Sequence, residues 1–190
     1  FRMFCINTLQ INSNPPYIRT QILGSKETQK IAKKLSLTGR IDIYYAFLIY
    51  AKEVLKDNGV SGYITSNKFL TIRSGKSVRN YMIDNYCIHQ ITDLGDTKLF
   101  AASVLPCIIV FSKGQTKRGS DVKFTSVYET NKKASNTIEN VFDAIYSNGV
   151  FETPDKKNFL YQQGILQSIE KDELWNMISE EIQDWLKRVE

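Results

Sequence analysis

Apolar residues recur along the chain with two spacings, and each spacing predicts a type of secondary structure. Where apolar residues alternate with polar ones, or run together briefly between turn residues, the pattern predicts strands at 5–12, 60–65, 88–94, 104–111 and 123–128. Where they recur every third or fourth position, it predicts helices at 42–56, 75–86 and 173–189. Residues 18–40 are basic and poorly periodic, which predicts a loop that carries a short helix.

The order of these elements predicts how the chain is organised. A strand, a long crossover with a helix, a second strand and another helix are typical of a parallel sheet with right-handed crossovers. The strands at 88–94 and 104–111 are expected to be antiparallel neighbours. Residues 131–158 are polar and turn-rich, which predicts a linker. We therefore expect an α/β domain over 1–130 and a mainly helical C-terminal extension over 131–190.

Two polar segments follow strands of the predicted parallel sheet. Residues 14–17 come after the first strand, and residues 65–69 come after the second. In such sheets, ligands bind beyond the carboxyl ends of the strands. If the two strands are neighbours, both segments open onto one cleft.

Composition excludes several classes of protein. The chain has 190 residues, of which 42% are hydrophobic and 24% charged, so it is neither disordered nor fibrous. No apolar run approaches the roughly 18 residues that a membrane span needs. Three cysteines without a Cys-x-x-Cys pair, and the single histidine His89, argue against a disulfide framework or a zinc cluster. We expect a reduced, cytoplasmic protein that holds no metal.

The segment after the first strand, Asn14-Pro15-Pro16-Tyr17, is the most informative part of the sequence. Asn14 precedes a proline, so its backbone is extended and its amide projects from the strand end. The Asn14 side-chain oxygen and the Pro15 carbonyl can each accept one hydrogen of the same –NH2 group, which directs the nitrogen lone pair toward an electrophile. The Tyr17 ring can stack on a planar base, a contact worth about 1–3 kcal/mol. A site for a planar substrate with an exocyclic amine follows; a rigid turn with a packed tyrosine is the structural alternative.

Asn-Pro-Pro-Tyr at a strand end resembles the catalytic motif of S-adenosylmethionine-dependent amino-methyltransferases, especially adenine-N6 DNA methyltransferases. Further stretches are similar to the helix and strand that follow this motif in the family: 41–47, 53–59 and 62–70. Residues 91–104 resemble the hairpin that closes the catalytic domain in the Eco57I-like restriction-modification group. The resemblance covers about residues 11–113 and, more faintly, 172–175, which looks like the approach to a specificity domain. It implies a partial Rossmann-like S-adenosylmethionine methyltransferase fold, with a mixed sheet and a C-terminal antiparallel hairpin.

The resemblance also implies roles for single residues. Asn14 and Pro15 would hold the adenine N6, and Tyr17 would stack on the flipped base. Pro16 would lie against the methionine end of the cofactor, S-adenosylmethionine, and Phe47 would form part of the cofactor wall. In-line methyl transfer of this kind needs orientation and desolvation more than a strong base, and the target base must first leave the duplex.

Two features depart from the family pattern. A glycine-rich cofactor loop is expected far upstream of the motif, yet only 13 residues precede Asn14, and none of the ten glycines forms a Gly-x-Gly. Relatives often carry an aromatic residue just before the glycine that matches Gly75; here Ser74 takes that place, which leaves Phe69 as the candidate for the second face of the adenine. We interpret the chain as the C-terminal half of a catalytic domain, inactive alone, whose expected partners are the missing N-terminal half and a target-recognition domain.

Two basic stretches follow the strand ends that face the predicted cleft. The first, over residues 19–40, includes Arg19 and Lys26. The second, over residues 66–80, contains no acid and holds four cations: Lys68, Arg73, Lys76 and Arg79. We expect these side chains to contact the phosphates of double-stranded DNA, with a solvated surface as the alternative.

The sequence therefore predicts methylation of the N6 amine of adenine in DNA, as part of a restriction-modification or related phage-defence system. Two alternatives remain open. A protein glutamine methyltransferase would use the same motif, because a glutamine amide also offers an –NH2 group. A non-catalytic DNA-binding piece with a vestigial pocket would fit the missing cofactor loop equally well.

Overall fold

The computed structural model describes residues 8–16, 24–35, 37, 41–100, 104–115, 121–166, 169–175 and 188. The strands are β1 (Thr8–Ser13), β2 (Leu55–Ser66), β3 (Tyr86–Asp93), β4 (Pro106–Lys113), β5 (Val122–Glu129), β6 (Asn136–Thr137), β7 (Gly149–Glu152) and β8 (Asn158–Leu166). The helices are α1 (Ser25–Lys34), α2 (Tyr44–Val54), α3 (Lys68–Thr71) and α4 (Lys76–Asn85), with a 3₁₀ turn at Arg73–Gly75 before α4.

All of these strands belong to one mixed sheet, in the order β1-β2-β4-β3-β5-β8-β7-β6. The pairs β1–β2, β3–β5 and β6–β7 are parallel, and the other neighbours are antiparallel. The predicted α/β class with a mixed sheet is confirmed, and so is the antiparallel pairing of β3 with β4. The pairings also give β1, β2, β3 and β5 the same direction, so that their carboxyl ends lie along one edge of the sheet.

One face of the sheet carries the larger hydrophobic core, because α2 and α4 pack on it. Tyr45 and Leu48 of α2 and Val78 and Met82 of α4 are fully buried in this core, together with Phe111 of β4. Their spacing of three or four residues places them on one side of each helix. The helical periodicity of the sequence identified the buried face of α4 correctly. On α2 the spacing of Ile43, Phe47 and Ala51 indicated a different face, and that prediction is wrong, because Phe47 is 38% exposed and Tyr45 and Leu48 are buried instead.

Strand β2 is longer than predicted, because it begins directly where α2 ends. The pair Asn58-Gly59 is typical of a helix end, but α2 already stops at Val54. Asn58 instead adopts a left-handed φ of 62° within β2. The register of β1 against this part of β2 shifts between Thr8 and Gln10. The turn-forming pair therefore produces an irregularity in the strand rather than a helix cap.

Residues 131–158, predicted to be a linker, instead take part in the sheet and cover its second face. They contain β6 and β7, and Ala144 packs with Leu94 and Tyr161 in a second hydrophobic cluster. The Tyr161 hydroxyl donates a hydrogen bond to the Val141 carbonyl at 2.9 Å. Few apolar residues are needed to cover one end of a sheet, which is why a polar composition concealed this packing. The described part of the C-terminal extension consists of strands and turns, and most of the helix predicted at its end lies outside the described residues.

Candidate functional site

β1 and β2 end next to each other at one edge of the sheet. Ser13, the last residue of β1, pairs with Tyr63, and β2 continues from there to Ser66. Residues 14–16 therefore leave β1 alongside the last residues of β2. Ligands of open α/β sheets bind beyond such carboxyl ends. The two polar segments that the sequence singled out thus border the same edge.

The exposure of residues 14–16 changes from one residue to the next. Asn14 and Pro16 are exposed, whereas Pro15 between them is buried. The buried proline ring attaches the segment to the body of the protein while the Asn14 amide stays accessible. A supported segment with an accessible amide is suited to hold an amine in a defined orientation. Tyr17 and Arg19 lie outside the described residues.

Behind the end of β2 lies a buried hydrogen-bond network centred on the Asp93 carboxylate, which is only 4% exposed. The Asn67 side chain donates from Nδ2 to Oδ1 of Asp93 at 2.9 Å, and the Gly95 amide donates to the same oxygen at 3.0 Å. The Tyr128 hydroxyl donates to Oδ2 at 2.6 Å. The network therefore connects the residues that follow β2 with the carboxyl ends of β3 and β5.

The donors of this network are held firmly in place. Burial raises the pKa of Tyr128, and its hydrogen bond to Asp93 raises that pKa further, so the hydroxyl remains a donor at neutral pH. The Asn67 main-chain amide donates to the Leu105 carbonyl at 2.8 Å. Asn67 is thus fixed by its side chain and by its backbone. Lys68, the next residue, extends from an anchored position at the edge.

Four of the cationic side chains predicted to contact DNA are exposed. Lys26 lies on α1, and Lys68 and Arg73 lie in the short stretch that follows β2. Lys76 forms an ion pair with Asp172 at 3.0 Å, with a side chain that is 54% exposed. This ion pair already neutralises part of the Lys76 charge, whereas Lys68 and Arg73 are exposed in the stretch that follows the end of β2.

Two further residues assigned to DNA from the sequence are buried, and those predictions are wrong. Phe69 is fully buried, with its ring centroid 6.3 Å from that of Tyr44 and 6.0 Å from that of Trp175, so it has no face to offer an adenine. Arg79 is 1% exposed and binds main-chain carbonyls. The sequence contained a signal for the burial of Arg79, because Arg79 lies three residues before Met82 and therefore on the buried side of the same helix.

Pro16 and Phe47 are the residues that the sequence assigned to the cofactor. Both are exposed, Phe47 by 38%. The Tyr63 hydroxyl donates to the Phe47 carbonyl at 3.3 Å, and Tyr63 is the residue that pairs with Ser13. α2 thus packs on β2 at the level of Tyr63. Both side chains are apolar and accessible, but two side chains alone cannot bury most of a small ligand.

Sequence reasoning missed the organising role of Asp93. The residue appeared only within the stretch 91–104 that supports the family resemblance. Its signal was an acid next to a run of apolar residues in a strand, between Ile91 and Leu94. A buried acid requires hydrogen-bond partners, so this position pointed to a network, but the identity of the partners depends on the sheet order.

Other kinds of site find less support in the described part of the chain. There, no group of three or more His, Cys, Asp or Glu side chains is arranged to hold a metal ion. None of the helices described above is long and apolar enough to cross a membrane. A cavity of about 440 Å³, lined by residues that include Gln90, Lys123 and Gln163, opens on strands β3, β5 and β8. Lys123 stands near the amino end of β5, so this cavity lies away from the edge described above.

Comparison with known proteins gives consistent matches. The model of the Eco57I restriction-modification methylase family matches residues 11–100. The Type II methyltransferase M.BanIII of Aneurinibacillus aneurinilyticus is 35% identical over 188 residues, which cover 94% of this chain and 32% of that protein. M.BstVI of Geobacillus stearothermophilus is 29% identical, over 93% of this chain and 31% of that protein. The chain thus spans about a third of the length of these relatives.

Solved structures share the fold. The methyltransferase subunit of a type I restriction-modification system from Streptococcus thermophilus matches with a TM-score of 0.50 and 22% identity, over 66% of this chain and 27% of that one. A Listeria monocytogenes protein assigned to the class I S-adenosylmethionine-dependent methyltransferases matches with a TM-score of 0.53 and 15% identity, over 66% of this chain and 38% of that one. At these identities the likeness concerns the fold alone.

Proposed function

We propose that this protein takes part in S-adenosylmethionine-dependent methylation of DNA at the N6 amine of adenine. Residues 11–100 are an Eco57I-like restriction-modification methylase region, and the chain is homologous to Type II methyltransferases over most of its length. Because the chain spans about a third of these relatives, we also propose that it acts within a longer protein. That protein would supply the glycine-rich part of the cofactor site and a target-recognition domain.

The observation that carries the proposal is the position of residues 14–16. They follow β1 at the edge where β2 also ends, with Asn14 exposed and Pro15 buried. A side-chain oxygen on a supported turn, next to a main-chain carbonyl, can accept both hydrogens of one amine. That arrangement fits an exocyclic amine better than a hydroxyl or a carboxylate, since neither of these carries two hydrogens to donate.

The residues of this chain orient the amine rather than deprotonate it. The Asn14 Oδ1 and the Pro15 carbonyl accept the two N6 hydrogens, so that the nitrogen lone pair points away from the plane of the base. The Tyr17 ring stacks on the base after it leaves the duplex. Pro16 would lie against the methionine end of S-adenosylmethionine and Phe47 would form part of the cofactor wall; the cofactor would supply the methyl group. Orientation of this kind accounts for much of the barrier reduction in group transfer.

The exposed cations support DNA as the substrate. Lys68 and Arg73 lie beside the edge, and Lys26 lies on the helix that follows residues 14–16 in sequence. Most affinity for duplex DNA comes from such phosphate contacts. The relatives that match most of the chain carry the name Type II methyltransferase, which favours DNA over a protein glutamine as the acceptor.

The test is methyl transfer to adenine-containing duplex DNA by the full-length protein that carries this chain, as wild type and as Asn14→Ala. We expect Asn14→Ala to lower the rate at least about 10²-fold, because one of the two acceptors that orient the amine is lost. Asn12→Ala is the matched control: Asn12 is an exposed asparagine of β1 that lies outside the proposed clamp.

DNA affinity should change little in Asn14→Ala, since phosphate contacts are intact. Near wild-type transfer by this variant would exclude the amine clamp. Transfer to a glutamine-containing protein but not to DNA would support the glutamine alternative. DNA binding without transfer to either acceptor would support a non-catalytic DNA-binding role.

A further inference from the structure

Arg79 is a buried cation that joins separate stretches of main chain. Its Nη1 donates to the carbonyls of Phe69 at 2.6 Å and Ile72 at 2.9 Å, and its Nε donates to the carbonyl of Glu173 at 2.8 Å. The side chain is 1% exposed. Hydrogen bonds from a charged donor are stronger than neutral ones. Arg79 therefore holds the stretch after β2 together with the main chain at Glu173.

Residues 171–175, which we call the docked segment, bind at the same place. The Trp175 amide donates to the Leu70 carbonyl at 2.9 Å, and the Trp175 ring packs edge-on against Phe69. Asp172 and Asn80 exchange two hydrogen bonds, at 2.7 and 2.9 Å. The docked segment is thus attached both to α3 and to α4.

Gly75 leaves the space that the Arg79 guanidinium occupies. A Cβ atom at Gly75 would lie 2.4 Å from the Phe69 carbonyl oxygen and 2.8 Å from Nη1 of Arg79. The φ angle of Gly75 is −77°, which other residues adopt freely, so the restriction comes from space and not from backbone conformation. Even an alanine at position 75 must disturb the contact between Arg79 and Phe69.

Lys68 and Arg73 lie on the stretch that this arrangement holds. Lys68 precedes Phe69 and Arg73 follows Ile72, so the carbonyls that Arg79 binds are next in sequence to the two exposed cations. A helix as short as α3 has little stability of its own. The relative position of the two cations must therefore come from the contacts below them.

We propose that Arg79 is a positioning residue for DNA binding, which together with Gly75 and the docked segment fixes residues 68–73 so that Lys68 and Arg73 contact phosphates at the same time. The inference rests on the proposed function, which makes these two cations DNA contacts. It also gives the docked segment a part in DNA binding without any contact between that segment and DNA.

The salt dependence of DNA binding distinguishes positioning from mere stabilisation. Each neutralised phosphate contributes about −0.9 to the slope of log K against log salt concentration. Arg79→Lys keeps the charge but loses the planar fork that reaches the carbonyls. If Lys68 and Arg73 lose their fixed arrangement, the slope should become shallower by about one to two phosphate contacts, although no charge has been removed.

The experiment measures binding of a fluorescent DNA duplex to the 190-residue chain at salt concentrations from about 50 to 200 mM. The variants are Arg79→Lys and Gly75→Ala, which disturb the same contact from opposite sides. Lys132→Met is the control, because it removes an exposed cation distant in sequence from residues 68–75. Circular dichroism at the assay temperature identifies the variants that are folded.

A double variant then tests the coupling directly. Lys68→Met should make the slope shallower by about one phosphate contact in the wild-type background, and by clearly less in the Arg79→Lys background. Equal effects in both backgrounds would overturn the inference, because Lys68 would then act independently of Arg79.

The outcomes separate this inference from the proposed function. No salt-dependent DNA binding by the wild-type chain would contradict the proposed DNA contacts. Wild-type binding with unchanged slopes in both folded variants would contradict only the positioning role. If both variants fail to fold, hydrogen exchange on the wild-type chain decides: DNA should slow exchange of the Trp175 amide, and unchanged exchange there would overturn the inference.

Discussion

At the scale of single residues, Asp93 shows how neutral donors can hold a buried charge. Its two oxygens accept hydrogen bonds from Asn67, Gly95 and Tyr128. Removing the carboxylate would leave the buried donors of Asn67 and Gly95 without a partner, and each unpaired buried donor costs about 1–3 kcal/mol. Asp93 therefore stabilises the very edge at which residues 14–16 and Lys68 are placed.

We expect Asp93→Ala to lower the free energy of unfolding by about 3–5 kcal/mol. Tyr128→Phe removes only one of the three hydrogen bonds, and Tyr128 is partly exposed. We therefore expect this variant to lower the free energy of unfolding by about 1 kcal/mol. Urea denaturation followed by circular dichroism measures both changes. Asp121→Ala, at an exposed acid, is the control and should change the stability by less than about 0.5 kcal/mol. Equal small effects at Asp93 and Asp121 would contradict the network.

Asp172 provides a prediction about pH. Its hydrogen bond from Asn80 and then its pairing with Lys76 lower the pKa of the exposed Asp172 carboxyl. A lowered folded-state pKa means that the carboxylate stabilises the fold above the ordinary carboxyl pKa of about 3.9, and that this stabilisation disappears as the pH falls through the folded-state value.

Asp172→Asn keeps an oxygen that can accept from Asn80 but has no charge. We expect the urea midpoint of the wild type to exceed that of Asp172→Asn near neutral pH, and the difference to shrink as the pH falls below about 4. If the difference between the two urea midpoints stays constant across this pH range, the charge of Asp172 does not contribute to binding of the docked segment.

At the scale of elements, β3 is attached to α2 by a tyrosine at its first position. The Tyr86 hydroxyl donates to the carbonyls of Leu48 at 2.6 Å and Ile49 at 3.2 Å, and the residue is fully buried. The Tyr86 ring also packs on Phe111 of β4, at 4.3 Å between ring centroids. This contact attaches α2, and with it Phe47, to the central strands β3 and β4 of the sheet.

Tyr86→Phe should lower the free energy of unfolding by about 1–2 kcal/mol, because a buried hydrogen bond is lost while the ring remains. Tyr81→Phe is the matched control on α4: its hydroxyl donates to the Ile49 carbonyl at the longer distance of 3.3 Å, and the residue is only partly buried. Tyr81→Phe should therefore lower the free energy of unfolding by less than Tyr86→Phe does. The reverse order in thermal or urea denaturation would contradict the role given to Tyr86.

At the scale of the whole molecule, the described residues carry an exposed set of cations, and Pro16 and Phe47 are the two exposed apolar residues that we propose for cofactor contact. The proposal places the rest of the cofactor site on another part of a longer protein. Real small-molecule sites bury most of their ligand, which Pro16 and Phe47 alone do not achieve. DNA binding depends on exposed charge and does not require that pocket.

The 190-residue chain should accordingly bind duplex DNA weakly, without sequence preference, and with an affinity that falls steeply as salt rises. It should not transfer methyl groups. Titration calorimetry with S-adenosylmethionine and DNA-binding measurements at low and moderate salt test the two halves separately. Micromolar affinity for the cofactor would contradict the division of the pocket, and salt-independent DNA binding would contradict the role of Lys68 and Arg73.

The sequence by itself determined the features that depend on local order. The periodicity of α2 and α4, the strand-forming runs of β3 and β4 and the motif of residues 14–17 are all properties of neighbouring residues, and each could be recognised without knowledge of the fold. The resemblance to the Eco57I-like group rested on the same local stretches. The match of residues 11–100 to that family's model confirms it.

Only the tertiary structure decided which polar side chains face solvent and which are buried. Arg79 and Lys76 lie in the same basic stretch, yet one binds main-chain carbonyls inside the protein and the other is exposed. Asp93 meets Asn67 and Tyr128 only because β2, β3 and β5 carry their carboxyl ends to one edge. Residues 131–158 cover the sheet because β8 pairs with β5. In each case the partner is distant in sequence, so the contact energy that decides the position of the residue does not appear in any local pattern.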